Sequence, residues 1–207
     1  MHGLGSGFVV ESSLLRIILA RHGLPAWDFR TPIPGHGLAQ WLEGERDAAL
    51  EPVQRPPPGA DLEQLIRDAR CLIASPLRRS IESARLIAPA VVPLIDDHFR
   101  EPALPCAITS RLRLRPGVWT SLARSAWLCG WSAGVESFKA ARTRAAEAAQ
   151  ILIARAEAAG SVALLGHGFM NILIAGRLLA LGWKGPRFPP PRHWAFGVYV
   201  HKGKEET

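Results

Sequence analysis

Three cysteines, no internal repeat and no apolar run long enough to span a bilayer are what this 207-residue chain has little or none of. Cys71, Cys106 and Cys129 stand 35 and 23 residues apart, an odd set that matches neither a disulfide framework nor the close pairs of a zinc module, so a reducing compartment is expected. The first apolar run, Leu14 to Ala20, is far shorter than a membrane span and has Arg16 inside it, unlike a signal-peptide core. Met1 to Ser13 reads as a flexible leader, and cytoplasmic residence is the expectation. Acidic residues are in deficit, 18 against 25 Lys and Arg, for a formal charge of +7. That excess raises the question of a nucleic acid or membrane surface as partner. The bases are scattered rather than blocked, however, and aromatics do not alternate with them as a base-stacking platform requires. A phosphorylated small molecule is served equally well by a few inward-pointing arginines, so charge alone selects no partner.

Apolar residues are plentiful, at 48%, enough at this length for one hydrophobic core without metals or disulfides. Leu14 to Ala20 ends at Gly23 and Pro25 and reads as a strand buried on both faces. A helical pattern follows at about Leu38 to Leu50, then the proline-stiffened loop Val53 to Ala60, with Asp61 as the expected N-cap of the helix "LEQLIRDA". "RCLIAS" is a second strand and "PLRRSIESARLIA" a helix with Pro76 at its first position and Pro89 beyond its end. "VVPLI" reads as a third strand. Asp96 to Gly134 is irregular and rich in Arg, Pro and Trp, and is expected to form a cap. Ser137 to Ala159 is the longest helical pattern, closed by Gly160. "SVALLG" is a fourth strand, "FMNILIAGRLLAL" a buried helix, "KGPRFPPPRH" a stiff loop and "WAFGVYV" the last strand. Strands alternating with helices predict a three-layer α/β/α sandwich: a mostly parallel central sheet, helices on both faces, and an irregular or helical cap. One domain over residues 14–201 and a short tail over 202–207 complete the expected organisation.

Ligands of open parallel sheets sit beyond the carboxyl ends of the strands. Three strand ends carry suggestive side chains. The first ends in Arg21-His22-Gly23, the fourth in His167-Gly168, and the second runs through Ser75 into a helix start with Arg78 and Arg79. Unpaired N–H groups at a helix N-terminus, with arginines beside them, favour a phosphate. A neutral imidazole is a competent nucleophile toward phosphorus, and a phosphohistidine splits hydrolysis into two displacements. His22 fits that role, with Arg21, Arg79 and His167 meeting the equatorial oxygens. One carboxylic acid can protonate the leaving alkoxide and later deprotonate the attacking water. Gly23 and Gly168 would let the backbone pass close to a ligand. No metal or other cofactor is needed.

In the same residues the chain resembles the histidine phosphatase superfamily, also called phosphoglycerate mutase-like. Arg21, His22 and Gly23 match its opening signature; Ser75, Leu77 and Arg79 match the Ser-x-Leu-x-Arg that opens a helix. Glu101 in "HFREP" fits its acidic residue, and His167 with Gly168 its closing His-Gly. The four motifs occur in the family's order over about three quarters of the chain. The resemblance implies a metal-independent phosphatase acting on a phosphomonoester through a phosphohistidine, with a phosphorylated small molecule as partner. It implies neither nucleic acid nor membrane, and a homodimer is left open. Ser75, Arg78, Gly23 and Gly168 are the expected substrate contacts around the catalytic set.

Competing assignments remain at several positions. Asp96, Asp97 and Glu136 compete with Glu101, and Glu136 in "GVESF" also reads as a helix-start acid. His22, His98, His167 and Glu101 could be metal ligands, although no dedicated ligand spacing is present. His2, His36, His193 and His201 read as surface residues, and "RLRLRP" as a basic lip or an exposed segment. Trp27, Trp119, Trp127 and Trp131 either fill core or line a pocket. Relative to many mutases, Leu24 and Pro25 replace an acid and a hydroxyl residue after Arg-His-Gly. Phe169, Met170 and Ile172 replace small or polar residues after His-Gly, which points to a less polar phosphoester than phosphoglycerate. The alternatives are a mutase-type phosphotransferase and a non-catalytic domain that keeps the anion pocket.

Overall fold

The computed structural model describes residues 14–203 apart from Pro56. The expected leader and the last four residues of the expected tail lie outside the described residues. The chain runs β1 (Leu14–Arg21), β2 (Ile33–Pro34), α1 (Leu38–Asp47), α2 (Ala60–Asp68), β3 (Cys71–Ala74), α3 (Arg78–Ile87), β4 (Leu94–Ile95), β5 (Arg113–Leu114), α4 (Pro116–Leu128), α5 (Phe138–Ala159), β6 (Ser161–Gly166), α6 (Gly168–Ala180) and β7 (Phe196–Lys202). The main sheet has the order β4-β3-β6-β1-β7, parallel except for β7, which lies antiparallel against β1.

The apolar runs in β1 and β6 have no polar side because both faces of the sheet are covered, as the α/β class requires. Leu15, Ile17 and Leu19 face α5 and α6, while Ile18 and Ala20 face α2 and α3. A third, smaller cluster joins α1 to α4 through Leu38, Trp119 and Ala123. It forms a cap held to the strand pair β2–β5, and the Trp119 indole donates to the Ile33 carbonyl at 2.9 Å.

Several boundaries differ from the sequence reading, each for a local reason. The first helix stops at Asp47 because the chain turns extended at Ala48, where Leu50 pairs with Pro25 and its N–H reaches Glu82. Asp61 does not cap α2; Gly59 precedes the helix, and Asp61 and Glu63 lie in its first turn, favourable to the helix dipole. Helix α3 begins at Arg78, two residues after Pro76, with Leu77 extended before it. The third strand shrinks to Leu94–Ile95, following Pro93, which has no N–H to give a ladder. The expected cap holds a 13-residue helix, α4, with Pro116 in its first turn. The longest helix forms as expected, with the Ser137 hydroxyl accepting from the Ala140 N–H and Gly160 closing it at φ 84°. The final strand continues through Lys202, into the segment expected to be tail.

Candidate active site

Register sets the site. Arg21 in β1 lies opposite Gly166 in β6, and Ala74 in β3 opposite Leu165. The pairing runs one residue past the strands: the His22 N–H donates to the Gly166 carbonyl at 3.0 Å and the Ser75 N–H to the Leu165 carbonyl at 3.1 Å. His22, Ser75 and His167 therefore emerge together at the carboxyl edge of the sheet. The rings of His22 and His167 are 5.0 Å apart, centre to centre, at 62°, and both are buried. Arg79, near the start of α3, turns inward and brings its Nε to 3.1 Å from His22 Nε2. Arg21 reaches the same cleft and is tied by one guanidinium nitrogen to the Pro191 carbonyl.

Hydrogen-bond partners define the tautomers. His22 Nδ1 lies 2.7 Å from the Gly23 carbonyl, which can only accept, so Nδ1 carries the proton. Its Nε2 faces the Arg79 donor and must present a lone pair. Burial first, then His167, Arg79 and Arg21, holds His22 well below the usual imidazole pKa. It is a neutral ring at the cleft with its Nε2 lone pair toward Arg79. Ser75 Oγ accepts from the Leu77 N–H at 3.4 Å and sits 2.7 Å from His167 Nε2. Where Ser75 turns its proton to His167 Nε2, the ring carries its N–H on Nδ1, a buried nitrogen without a hydrogen-bond partner among the described residues. Ser80 Oγ is a second neighbour of that Nε2 at 3.3 Å. Burial, with Arg79, Arg21 and Arg144, also keeps His167 neutral.

Of the carboxylates lining the cleft, whose volume is about 1290 Å³, Glu101 and Glu45 are the two paired with its arginines Arg124 and Arg79. Glu101 accepts from the first-turn N–H groups of Phe169, at 3.3 Å, and Met170, at 3.0 Å, just after His167. Arg124 of α4 lies 3.6 Å from it. Glu45, which the sequence reading did not single out, arrives from α1 and meets Arg79 at 3.3 Å. Burial pushes its pKa up, against the opposing pull of Arg79. Arg79 also donates to the Glu45 and Arg46 carbonyls at 2.9 and 3.2 Å, so the end of α1 fixes the guanidinium. Nothing in "EGERD" distinguishes Glu45 from an ordinary solvated helix face.

The structure brings Arg21, His22, Arg79, Glu101, His167 and Gly168 to one cleft and corrects other assignments. Arg78 turns outward, pairs with Glu82 at 2.7 Å and does not line the cleft. Ser75 reaches the site through His167 rather than by lining it. Gly23 lacks a Cβ for packing, not for ligand approach: a Cβ there would lie 2.2 Å from the Trp194 ring and 2.6 Å from Gln54 Oε1. At Gly168 the nearest atom to a Cβ would be Arg21 at 3.6 Å, an ordinary contact. His193 is not a free surface residue; its ring centre lies 5.3 Å from that of His22, its Nδ1 lies 3.3 Å from the His22 carbonyl, and burial lowers its pKa to about 4. His201 is half-buried against Trp183, His36 is exposed, and His2 lies outside the described residues.

The competitors separate as well. Asp96 caps the short turn at Asp97–Phe99 and holds His98, so His98 does not join His22 and His167. Asp97 lines the cleft wall, and Glu136 makes a two-point pair with Arg144 at 2.8 and 2.6 Å. No group of three metal-ligating side chains is present among the described residues. Arg113 and Leu114 of "RLRLRP" form β5. Trp119 and Trp127 fill core, whereas Trp27 and Trp131 are partly exposed outside the cleft. The tryptophan that lines the cleft is Trp41, with Phe29 edge-on against it at 5.4 Å.

A parallel sheet whose carboxyl edge gathers two histidines and two arginines is the arrangement that the Arg-His-Gly and His-Gly motifs led one to expect. The family model "Histidine phosphatase superfamily (branch 1)" matches residues 17–193, and the chain belongs to that superfamily. Among solved structures, the fold is similar to mycobacterial glucosyl-3-phosphoglycerate phosphatase, with 22% identity over 81% of this chain and 80% of that one and a TM-score of 0.57. A putative alpha-ribazole-5'-P phosphatase from Escherichia coli is 17% identical over 89% of each chain, with a TM-score of 0.55. An Entamoeba histolytica phosphoserine phosphatase mutant, solved with phosphoserine, is 17% identical over 80% of each chain, with a TM-score of 0.51. No curated protein matches the chain.

Proposed function

We propose that the protein is a phosphatase that hydrolyses a phosphomonoester through a phosphohistidine on His22, without a metal. The observation that carries this reading is the His22 ring itself: neutral, with Nδ1–H held by the Gly23 carbonyl and Nε2 left to attack. A substrate phosphoryl group draws the Arg79 donors to its oxygens and frees that nitrogen. Nε2 then forms a bond to phosphorus as the ester P–O bond breaks. The leaving oxygen takes a proton from Glu101. Water next attacks the phosphohistidine and gives its proton back to Glu101, the N–P bond breaks, and inorganic phosphate leaves with His22 neutral again. Arg21, Arg79 and the His167 Nδ1–H meet the equatorial charge throughout.

A purely binding role would need no carboxylate beside the histidines. Glu101, anchored two and three residues after His167, supports turnover instead. The test is hydrolysis of a phosphomonoester panel after chelator treatment, wild type against His22→Ala. Chelation is expected to leave activity intact and the substitution to abolish it, with an acid-labile, base-stable phosphoenzyme trapped in the wild type only. Activity surviving His22→Ala, or lost to the chelator, would reject the mechanism.

A further inference from the structure

Arg144, in the second turn of α5, is a cation that the chemistry above does not use and that lines no part of the cleft. Only 14% of its side chain is exposed, so its donors need partners, and these come from three other segments. Nε and Nη2 hold the Glu136 carboxylate at 2.8 and 2.6 Å. Nη1 donates to the His98 and Arg100 carbonyls, both at 2.8 Å, and lies 3.9 Å from Met170 Sδ.

Two of those partners adjoin Glu101. The Arg100 carbonyl belongs to the planar peptide whose nitrogen is that of Glu101, so its direction fixes how the Glu101 backbone leaves the turn at Asp97–Phe99. Met170 gives its own N–H to Glu101 Oε2 at 3.0 Å. Arg144 thus holds the carbonyl at one end of the acid and touches the residue that grips the other end. An ion pair serving only the start of α5 would engage Glu136 and leave the remaining nitrogen to solvent. Here that nitrogen is committed to the segment leading into Glu101.

We propose that Arg144 is a positioning residue for proton transfer, holding Glu101 within reach of the leaving-group oxygen from behind the cleft wall. The proposal rests on the reading of Glu101 as the acid. A planar guanidinium can bind a carboxylate along one edge and two carbonyls from its third nitrogen at once, which a lysine ammonium cannot do from one place. Displacing the acid impairs proton transfer while the phosphoryl contacts of Arg21, His22 and Arg79 persist, because these stand on β1 and α3 and the segments beside them. Lysine at this position also keeps the positive charge that helps hold His167 neutral, so Arg144→Lys changes geometry rather than charge.

The test compares benzyl phosphate, whose alkoxide must be protonated as it leaves, with p-nitrophenyl phosphate, whose phenolate leaves as a stable anion. In kcat/KM only the steps up to departure of the alcohol count, so the later attack of water does not enter. Glu101→Gln should lower the benzyl to p-nitrophenyl ratio by about 10². Arg144→Lys should lower it by about tenfold, whatever loss the two esters share. Ala149→Leu, an overpacking change in the buried face of the same helix, should leave the ratio in place. If Arg144→Lys does not fold, Glu136→Gln, which takes the counter-charge from Arg144, carries the same expectation. A ratio moved by Glu101→Gln but not by the Arg144 or Glu136 variant, or moved as far by Ala149→Leu, would overturn the positioning role alone. A ratio unmoved by Glu101→Gln would reject the acid, and the positioning role with it. If neither ester turns over above the His22→Ala background, the phosphatase reading fails by itself, and hydrogen exchange decides whether Arg144 holds Glu101. Protection of the Phe169 and Met170 amides lost in Arg144→Lys as in Glu101→Gln, but kept in Ala149→Leu, upholds the tie; protection as in the wild type overturns it.

Discussion

Each functional side chain at this site is held by a neighbour that leaves it one productive state. His167 shows how. Its Nδ1–H is available to a phosphoryl oxygen when Ser75 donates to Nε2, an arrangement in which the Leu77 N–H takes one of the two Ser75 lone pairs. Ser75→Ala should release that constraint and let the ring put its proton on Nε2, toward Ser80. Losing one neutral hydrogen bond is worth about 1 kcal/mol, so kcat should fall roughly fivefold. The distinguishing readout is the ring nitrogen spectrum of His167, in which the Nδ1–H form should give way to a mixture. An unchanged tautomer with undiminished kcat would remove Ser75 from the mechanism. Replacing Arg79 by lysine is a harsher change, since a point charge cannot hold the α1 carbonyls, Glu45 and His22 together; a loss in kcat/KM of about 10² is expected. A loss of only a few-fold would mean that charge suffices there and geometry does not.

The strands and helices that carry these residues were legible where their pattern had one explanation. Continuous apolar runs ending in Gly or His-Gly mark β1 and β6 because strands buried on both faces have no polar alternative. The long helix α5 was marked by Ser137 and Gly160 at its ends. Cap helix α4 was not delimited within the expected irregular or helical cap because its signals conflict: Pro116 suits a first turn, but Gly117, Thr120, Ser121 and Ser125 dilute the helical pattern. Arg124 and Trp127, three apart, were the readable hint of a shared face. Glu45 and His193 had no signal at all, since only tertiary packing makes them neighbours of Arg79 and His22. The alanines of α5 have a meaning that composition hides. Ala145, Ala148, Ala149 and Ala156 are fully buried in the core shared with α6 and the sheet, so they let the layers approach closely. Ala149→Leu should overpack that seam by about 1–3 kcal/mol and lower Tm by roughly 3–10 °C. A Tm within a degree of wild type would mean that the seam has slack.

The molecule as a whole must keep two buried neutral imidazoles among cations, and that makes its stability depend on pH in a definite direction. In the unfolded chain each histidine takes up a proton near pH 6.5, whereas folded His22 and His167 resist it, burial being the leading cause for both. Below that pH the unfolded chain binds protons that the folded one does not. The stability these residues contribute is therefore complete above pH 6.5 and is lost on acidification, at about 1.4 kcal/mol per pH unit for each ring. His193 adds a smaller, solvent-screened share over the interval from 6.5 down to about 4. Glu45 works the other way, since its raised pKa lets the folded chain bind a proton before the unfolded one does, which softens the fall in the carboxylate range. In a phosphate-free buffer, denaturant titrations should thus lose stability steadily as the pH falls from 6 to 5, and His193→Asn should make the slope shallower. Inorganic phosphate should raise Tm by mass action and flatten the same slope, because an anion among Arg21, Arg79 and the two rings favours their protonated forms. A stability that stays level from pH 7 to pH 5 without phosphate would mean that water reaches His22 and His167. The neutral nucleophile on which the chemistry depends would then have no physical basis.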